Sequence, residues 1–327
     1  MTDTRHQDAR TAAEAALWAP SIHNTQPWSF GVGGSRICLR ADADRRLGIA
    51  DPEGREMLIS CGAALFTLRV ALQALGYEPD ARVLPDPDRP HLVADVTLGA
   101  PAAENPDARR LYGAVRRRRT HRGAFRAGEI RPSLAASLEL EAEREGARLI
   151  QAVETHTRQA LAGLTQAAGH VQRLNPAYAS EEARWAPAPG SGRPEGVHAE
   201  AYPEQPPGTG FPGRDFARGR GWGVPDGGPH PPETGLVMLV TTPGDTPHDR
   251  VRAGQALQRT LLRAAAEDDL AAAFHTQALE VPELREFIRT RFCDGRYPQS
   301  LLRLGVPEGP VLTSVRRPAA SVIRDEA

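Results

Sequence analysis

Ser21, His23, Asn24, Thr25 and Gln26 crowd into one short stretch, Ala19-Pro20-Ser21-Ile22-His23-Asn24-Thr25-Gln26-Pro27-Trp28. Each can donate or accept a hydrogen bond, and none carries a fixed charge at neutral pH. That combination suits the rim of a planar heterocycle with alternating donors and acceptors, of which flavin is one. Pro, Ser, Asn and Thr are also ordinary punctuation between elements, so residue type alone leaves a ligand role and a plain turn both open.

A second cluster, Arg116-Arg117-Arg118-Arg119-Thr120-His121-Arg122-Gly123-Ala124-Phe125, mixes cations with a hydroxyl. Most runs of like charge are solvated faces, and a nucleic-acid patch is another reading. This run ends a helix and enters a turn, which lets its side chains converge, and Thr120 adds a neutral donor. A phosphate monoester takes both kinds of partner. The chain contains no lysine; its 40 basic residues are all arginine. Schiff-base and phosphate-loop lysine chemistry is thereby excluded, and an anion site must use the planar arginine fork.

Elements must position these groups. Thr11 to Trp18 is Ala-rich and reads as a helix stopped by Pro20. Trp28–Val32 and Arg36–Ala41 flank Gly33-Gly34-Ser35 as a hairpin. Glu53 to Leu75 predicts a long apolar helix with Gly76 at its C′ position. Further along, the pattern predicts a strand at His91–Leu98 and a helix at Asp107–Thr120 that ends in the arginines. It also predicts a short helix at Glu181–Trp185 capped by Ser180. Beyond the Pro/Gly-dense stretch described next, Gly235–Thr241 and Ser300–Leu304 read as strands and Asp249–Glu267 as an amphipathic helix. Pro187 to Pro232 is dense in Pro and Gly, and connections this long are functional or disordered. Phe211, Phe216 and Trp222 give it apolar area able to cover a ring, so it is expected to be a lid. A weak internal repeat places Gly62-Ala63-Ala64-Leu65 and Gly254-Gln255-Ala256-Leu257 near the start of two long Ala/Leu-rich stretches.

The 327 residues, 40% hydrophobic and 25% charged with a net charge of −1, bound one large or two modest globular domains. No net field points to nucleic acid or an anionic membrane. Cys38, Cys61 and Cys293, odd in number and far apart, fit a reducing cytoplasm. The polar Met1–Arg10 shows no signal peptide, and no apolar run reads as long enough to span a bilayer. The histidines form no His-Glu-x-x-His and no cysteine pair has zinc spacing, so no metal is expected. Gly208 to Gly213 matches G-x-G-x-x-G, but it follows a Pro-rich stretch and carries Pro212, which argues against a dinucleotide fingerprint.

The string Ala-Pro-Ser-x-His-Asn-x-Gln-Pro-Trp at 19–28 closely resembles the flavin loop of nitroreductase-like flavoproteins, especially the Acg-type subgroup. Arg118-Arg119-Thr120-His121-Arg122 resembles the Arg-Arg-Ser/Thr-x-Arg element of that family, and Ser314-Val315-Arg316-Arg317-Pro318 its C-terminal basic contact. The resemblance covers 10–125 and 230–318 and is weak across 126–229. It implies an α+β, nitroreductase-like fold of two fused halves, 1–105 and 106–327, mimicking the family homodimer, with a lid at 187–232. The order of the motifs, loop first and arginines about a hundred residues later, supports one complete FMN site per chain, shared between halves.

That resemblance implies Pro20, Ser21, His23, Asn24 and Gln26 at the flavin, Arg118 and Thr120 at the phosphate, and Arg122 beside N1 and O2. Arg316 or Arg317 would add the C-terminal phosphate contact, and His275 and Gln277 would pack near the ring. The implied function is FMN-dependent oxidoreduction, with hydride passing through flavin N5 from NAD(P)H or an organic donor and no side chain needed as nucleophile or general base. A lid-closed FMN store with little reductase activity would share every one of these contacts. Small molecules are the expected partners, not nucleic acid or membrane, with a monomer or a homodimer both open.

Overall fold

The computed structural model describes residues 2–126, 130–204, 210–225, 235–309 and 314–326. The first part of the chain forms α1 (Thr2–Ala16), β1 (Trp28–Gly33), β2 (Arg36–Ala41), α2 (Arg55–Ala74), β3 (Asp80–Val83), β4 (Leu92–Thr97) and α3 (Pro106–Ala114). There follow α4 (Pro132–Glu143), β5 (Arg148–Gln151), α5 (Thr155–Leu174), α6 (Pro176–Trp185) and β6 (Leu236–Thr242). The chain continues through α7 (Pro247–Asp268), β7 (Ala271–Phe274), α8 (Pro282–Phe292), β8 (Tyr297–Gly305) and β9 (Ile323–Asp325). Helices and sheets thus mix as α+β.

Two sheets share one plan. Their orders are β3-β4-β2-β1 and β7-β8-β6-β5, and every neighbouring pair within these runs is antiparallel. In each, a long helix, α2 or α7, separates the second strand from the third. The first sheet closes its first strand pair with the tight turn at Gly34 and Ser35, Gly34 taking φ 55°. In the second sheet the matching connection is residues 152–235, which carry α5, α6 and the Pro/Gly-rich segment. The C-terminus then returns to the first sheet, where β9 pairs parallel with β1.

Alternation explains the strands: Trp28, Phe30 and Val32 of β1 all enter the core shared with α1 and α2. The second sheet is covered on both faces. Leu134 and Leu138 of α4 pack with Leu257 and Leu261 of α7 on one side. Leu161 of α5 and Ile288 of α8 join the cluster on the other. At the centre α2 crosses α7, and the repeated glycines mark the crossing: a Cβ on Gly62 would overlap the Val251 carbonyl oxygen, and one on Gly254 that of Ile59. Bare glycines let the backbones touch.

Several sequence expectations change. With a mean hydropathy of 1.6, α2 is long and apolar enough by length and composition to cross a bilayer, which corrects the reading that no such run exists. It is nonetheless a core helix, buried along almost its whole length. Helix α3 stops at Ala114, so Arg116 and Arg117 lie in a turn with Arg118 and Arg119 in irregular backbone after it, and Thr120 pairs in parallel with Ala272. Helix α6 begins at Pro176, capped by the Asn175 side chain accepting from Ala177 N at 3.0 Å, rather than at Ser180. Strands β3, β7 and β9 are unannounced in the sequence; β7 is Ala-Ala-Ala-Phe, with little strand preference of its own.

Candidate active site

The 19–28 loop is held in a strained turn. His23, Asn24 and Gln26 adopt left-handed φ of 44°, 54° and 50°, each costing on the order of 1 kcal/mol or more for a residue with a Cβ. Side chains hold the turn. Ser21 Oγ accepts from Gln26 N at 3.0 Å, and Ser60 Oγ from Ile22 N at 3.2 Å. Asn24 Nδ2 donates to the Gly196 and Val315 carbonyls at 3.0 and 3.1 Å. Gln26 Nε2 donates to Pro194 O at 2.9 Å, and its Oε1 accepts from Arg317 N at 2.8 Å. Asn24 and Gln26 therefore spend their amides on remote backbone, and neither lines the cleft beside the loop.

Pro20, Ser21 and His23 do line it. His23 is 6% exposed, and neither ring nitrogen has a partner among the described residues. Burial, reinforced by Arg214 and Arg122, holds its pKa well below the ordinary histidine value. It is thus a neutral ring with one donor and one acceptor to offer.

Arg118, Arg119 and Arg122 come near Arg316, whereas Arg117 pairs outward with Asp269 at 2.9 Å. Arg118 is buried; its Nη2 donates to Trp18 O at 3.2 Å, while Nε and Nη1 have no partner among the described residues. Burial first, then Arg316, Arg119 and Arg122, lower its pKa to about 9. Arg122 is brought down to about 10 by burial and by Arg316, and its guanidinium lies 5.4 Å from the Phe216 ring centroid. Arg316, also at about 10 through burial and Arg119, donates to Leu17 O at 2.9 Å and Asn24 Oδ1 at 3.3 Å. Among the described residues no carboxylate pairs with Arg118, Arg122 or Arg316. Buried like charges without a counter-ion are costly, so this cluster suits an anion.

Thr120 and Arg122 line the cleft, whereas Arg118 and Arg316 do not; they are coupled to Arg122 outside its lining. Arg317 stays apart: it donates to the Gln26 and Trp28 carbonyls, both at 3.3 Å, and approaches Asp42 at 4.0 Å. Of the two C-terminal arginines, the cluster includes Arg316.

The cleft has an empty volume of about 1140 Å³, its open mouth included. Its far walls hold residues the sequence reading did not single out, Glu56 from α2, Arg303 from β8 and Arg214 from the Pro/Gly-rich segment. The charged Arg55-Glu56 pair opening an otherwise apolar helix was the available signal. His275 also lines the cleft. Its Nε2 accepts from Arg303 Nε at 3.0 Å, so Nδ1 carries the proton and donates to Pro212 O at 3.0 Å. Burial above all, then Arg303, lowers its pKa to about 3. Gln277 instead lines a second, smaller cleft.

Within 187–232, residues 205–209 and 226–232 lie outside the described residues, as do Gly208 and Thr209 of the rejected glycine pattern. The described parts pack. Phe216 and Tyr202 join a local apolar cluster and line the cleft. Phe211 enters the second-sheet core, its ring 4.6 Å from His275. Trp222 packs on the local cluster and does not reach the cleft. Arg214 fastens the segment to Glu280 at 2.5 Å and to the Tyr178 hydroxyl.

No family model matches the chain. It is similar to a Mycobacterium tuberculosis protein named "Putative NAD(P)H nitroreductase Rv3131", with 34% identity over 97% of this chain and 91% of the relative. It is also similar to "Putative NAD(P)H nitroreductase acg" of the same organism, with 27% identity over 97% of this chain and 96% of the relative.

Proposed function

The chain belongs to the NAD(P)H nitroreductase family, in its Acg-type branch, and from that premise we propose that it is an FMN-dependent oxidoreductase. The observation that carries the reading is the uncompensated set Arg118, Arg122 and Arg316 beside a cleft lined by Thr120, Ser21 and His23. A phosphate would offset the mutual repulsion of the guanidiniums, with the Thr120 hydroxyl as a neutral donor. His23 would meet a heterocycle edge with one donor and one acceptor. Arg122 would favour negative charge on the pyrimidine side of the ring. When bound, FMN supplies the hydride chemistry, from NAD(P)H or an organic donor to a small acceptor. Asn24, Gln26 and Arg317 act at one remove, fixing the strained loop against residues 194–196 and the C-terminal segment.

We read the repeated sheet order as two fused halves, 1–105 and 106–327, with the ring loop from the first and the phosphate clamp from the second. Residues 187–232 serve as the lid. Purified protein should carry one FMN per chain, identified by mass spectrometry of the released chromophore; FAD, or two flavins per chain, would sink this reading. Anaerobic NADPH should bleach the flavin absorbance. A flavin retained but never reduced would make the protein an FMN store instead.

A further inference from the structure

Glu56 lies in the first turn of α2, 4% exposed, in the lining of the cleft that His23 and Thr120 share. Its Oε1 accepts from Arg55 Nη2 at 2.8 Å, and its Oε2 has no partner among the described residues. Arg55 is divided among acceptors, donating also to the carbonyls of Gln299 at 2.7 Å and Leu279 at 3.4 Å. The charged groups facing Glu56 are Arg55 beside it, Asp51 before α2, Glu280 after β7 and Arg214 from the lid segment. Arg214 is itself committed to Glu280. Burial, with Glu280 and Asp51 adding repulsion, raises the carboxyl to about 8 against the pull of Arg55 and Arg214. The raised carboxyl favours the protonated acid, an O–H donor whose Oε2 finds no acceptor among the described residues.

The other titratable groups lining the cleft are poorer proton sources. Burial lowers His23, His121 and His275, so none is an imidazolium at neutral pH. Asp215 has both carboxyl oxygens occupied, accepting from Arg218 N at 2.8 Å and Gly219 N at 3.1 Å. The Tyr202 hydroxyl has no partner among the described residues, but burial raises its pKa further above that of Glu56.

Reduction of a quinone-type acceptor by a nicotinamide, NAD(P)H + Q + H⁺ → NAD(P)⁺ + QH₂, takes up a proton that the hydride donor does not supply. We propose that Glu56 delivers it: the O–H bond breaks, the proton passes to an acceptor oxygen as hydride reaches the substrate, and the carboxylate regains a proton from solvent. This rests on the reading of the cleft as an FMN oxidoreductase site, so its test has a part that needs no flavin.

Infrared titration of the full chain without flavin, in a Glu182→Gln background that removes the other raised carboxyl at about 7, should show a protonated-carboxyl carbonyl band that fades as pH rises through about 8 and is missing once Glu56→Gln is added. The same band in the variant would overturn the assignment. With FMN bound and photoreduced, reoxidation by benzoquinone in stopped flow should slow in wild type above that pH. In Glu56→Gln it should be about a hundredfold slower and flat with pH. Wild-type rate and profile in that variant would overturn the proposal, as would loss of the pH dependence in Tyr202→Phe instead. Should Glu56→Gln fail to fold, Glu280→Gln replaces it. Removing that negative charge should move both midpoints to lower pH, and unmoved midpoints would count against Glu56. Failure to retain FMN would overturn the oxidoreductase reading alone, leaving the infrared arm to decide the protonation of Glu56.

Discussion

On the proposed FMN reading Arg118 and His23 would meet different needs of one ligand, and their substitutions should separate. A hydrogen bond to a charged group contributes about 1.5–3 kcal/mol, a neutral one about 0.5–1.5. Arg118→Ala should therefore weaken FMN binding more than His23→Ala in a fluorescence-quenching titration. Equal losses would remove Arg118 from the phosphate clamp. Because Arg118 is buried among like charges, the flavin-free Arg118→Ala protein should also melt no lower than wild type, which a purely structural arginine would not allow. His275 gives a pH test. Its folded pKa, about 3, lies below the unfolded value of 6.5, so below pH 6.5 the unfolded chain binds the extra proton. Stability is then lost as pH falls from 6.5 toward 3, by up to about 1.4 kcal/mol per pH unit. His275→Gln can keep both hydrogen bonds and lacks that titration. Its stability relative to wild type in urea unfolding should improve steadily as pH is lowered through this window; a constant difference would refute the neutral assignment.

At the scale of elements, the α2–α7 crossing governs the site indirectly, because Glu56 and Leu257, both in the cleft lining, stand on those two helices. Adding a methyl at Gly62 or Gly254 forces the backbones apart. Overpacking of this kind costs about 1–3 kcal/mol, more than the roughly 1 kcal/mol that alanine gains over glycine in a helix. Gly62→Ala and Gly254→Ala should each lower the melting temperature, and the double variant should cost less than the sum, since both widen one crossing. Gly163, exposed on α5 with open space where a Cβ would stand, is the control: Gly163→Ala should stabilise slightly. A stabilising Gly62→Ala would show that the close approach is not sustained in solution.

At the scale of the whole molecule, one segment joins the ring loop, the second sheet and the cleft. Residues 194–196 hold Gln26 and Asn24, while Arg214 and Phe216 reach over the cleft. The two stretches can be separated. Replacing 210–225 with a Gly-Ser linker removes Phe216 and the Arg214–Glu280 fastening but leaves Pro194 and Gly196 in place. Reduction of bound FMN by NADPH should then be faster in stopped flow, with flavin occupancy retained. Unchanged rates at full occupancy would remove the gating role of this segment.

Local chemistry determined a good part of this protein from sequence alone. Pro20 ends one helix, Gly34 turns the hairpin, and the apolar content of 55–74 makes a central helix whatever surrounds it. The loop and arginine strings singled out Ser21, His23, Thr120 and Arg122, which stand in the wall of one cleft. Tertiary structure alone decided that Asn24 and Gln26 turn away, that Arg316 rather than Arg317 joins the cluster, and that Glu56 and Arg214 face the same space. It also made a strand of Ala271–Phe274, which has two neighbours to pair with and little preference of its own. The reason is distance along the chain. Asn24 finds its acceptor 172 residues away and Gln26 its donor 291 residues away. A polar group's direction and charge state are set by the partners that burial brings to it, and spacing in sequence carries no record of those.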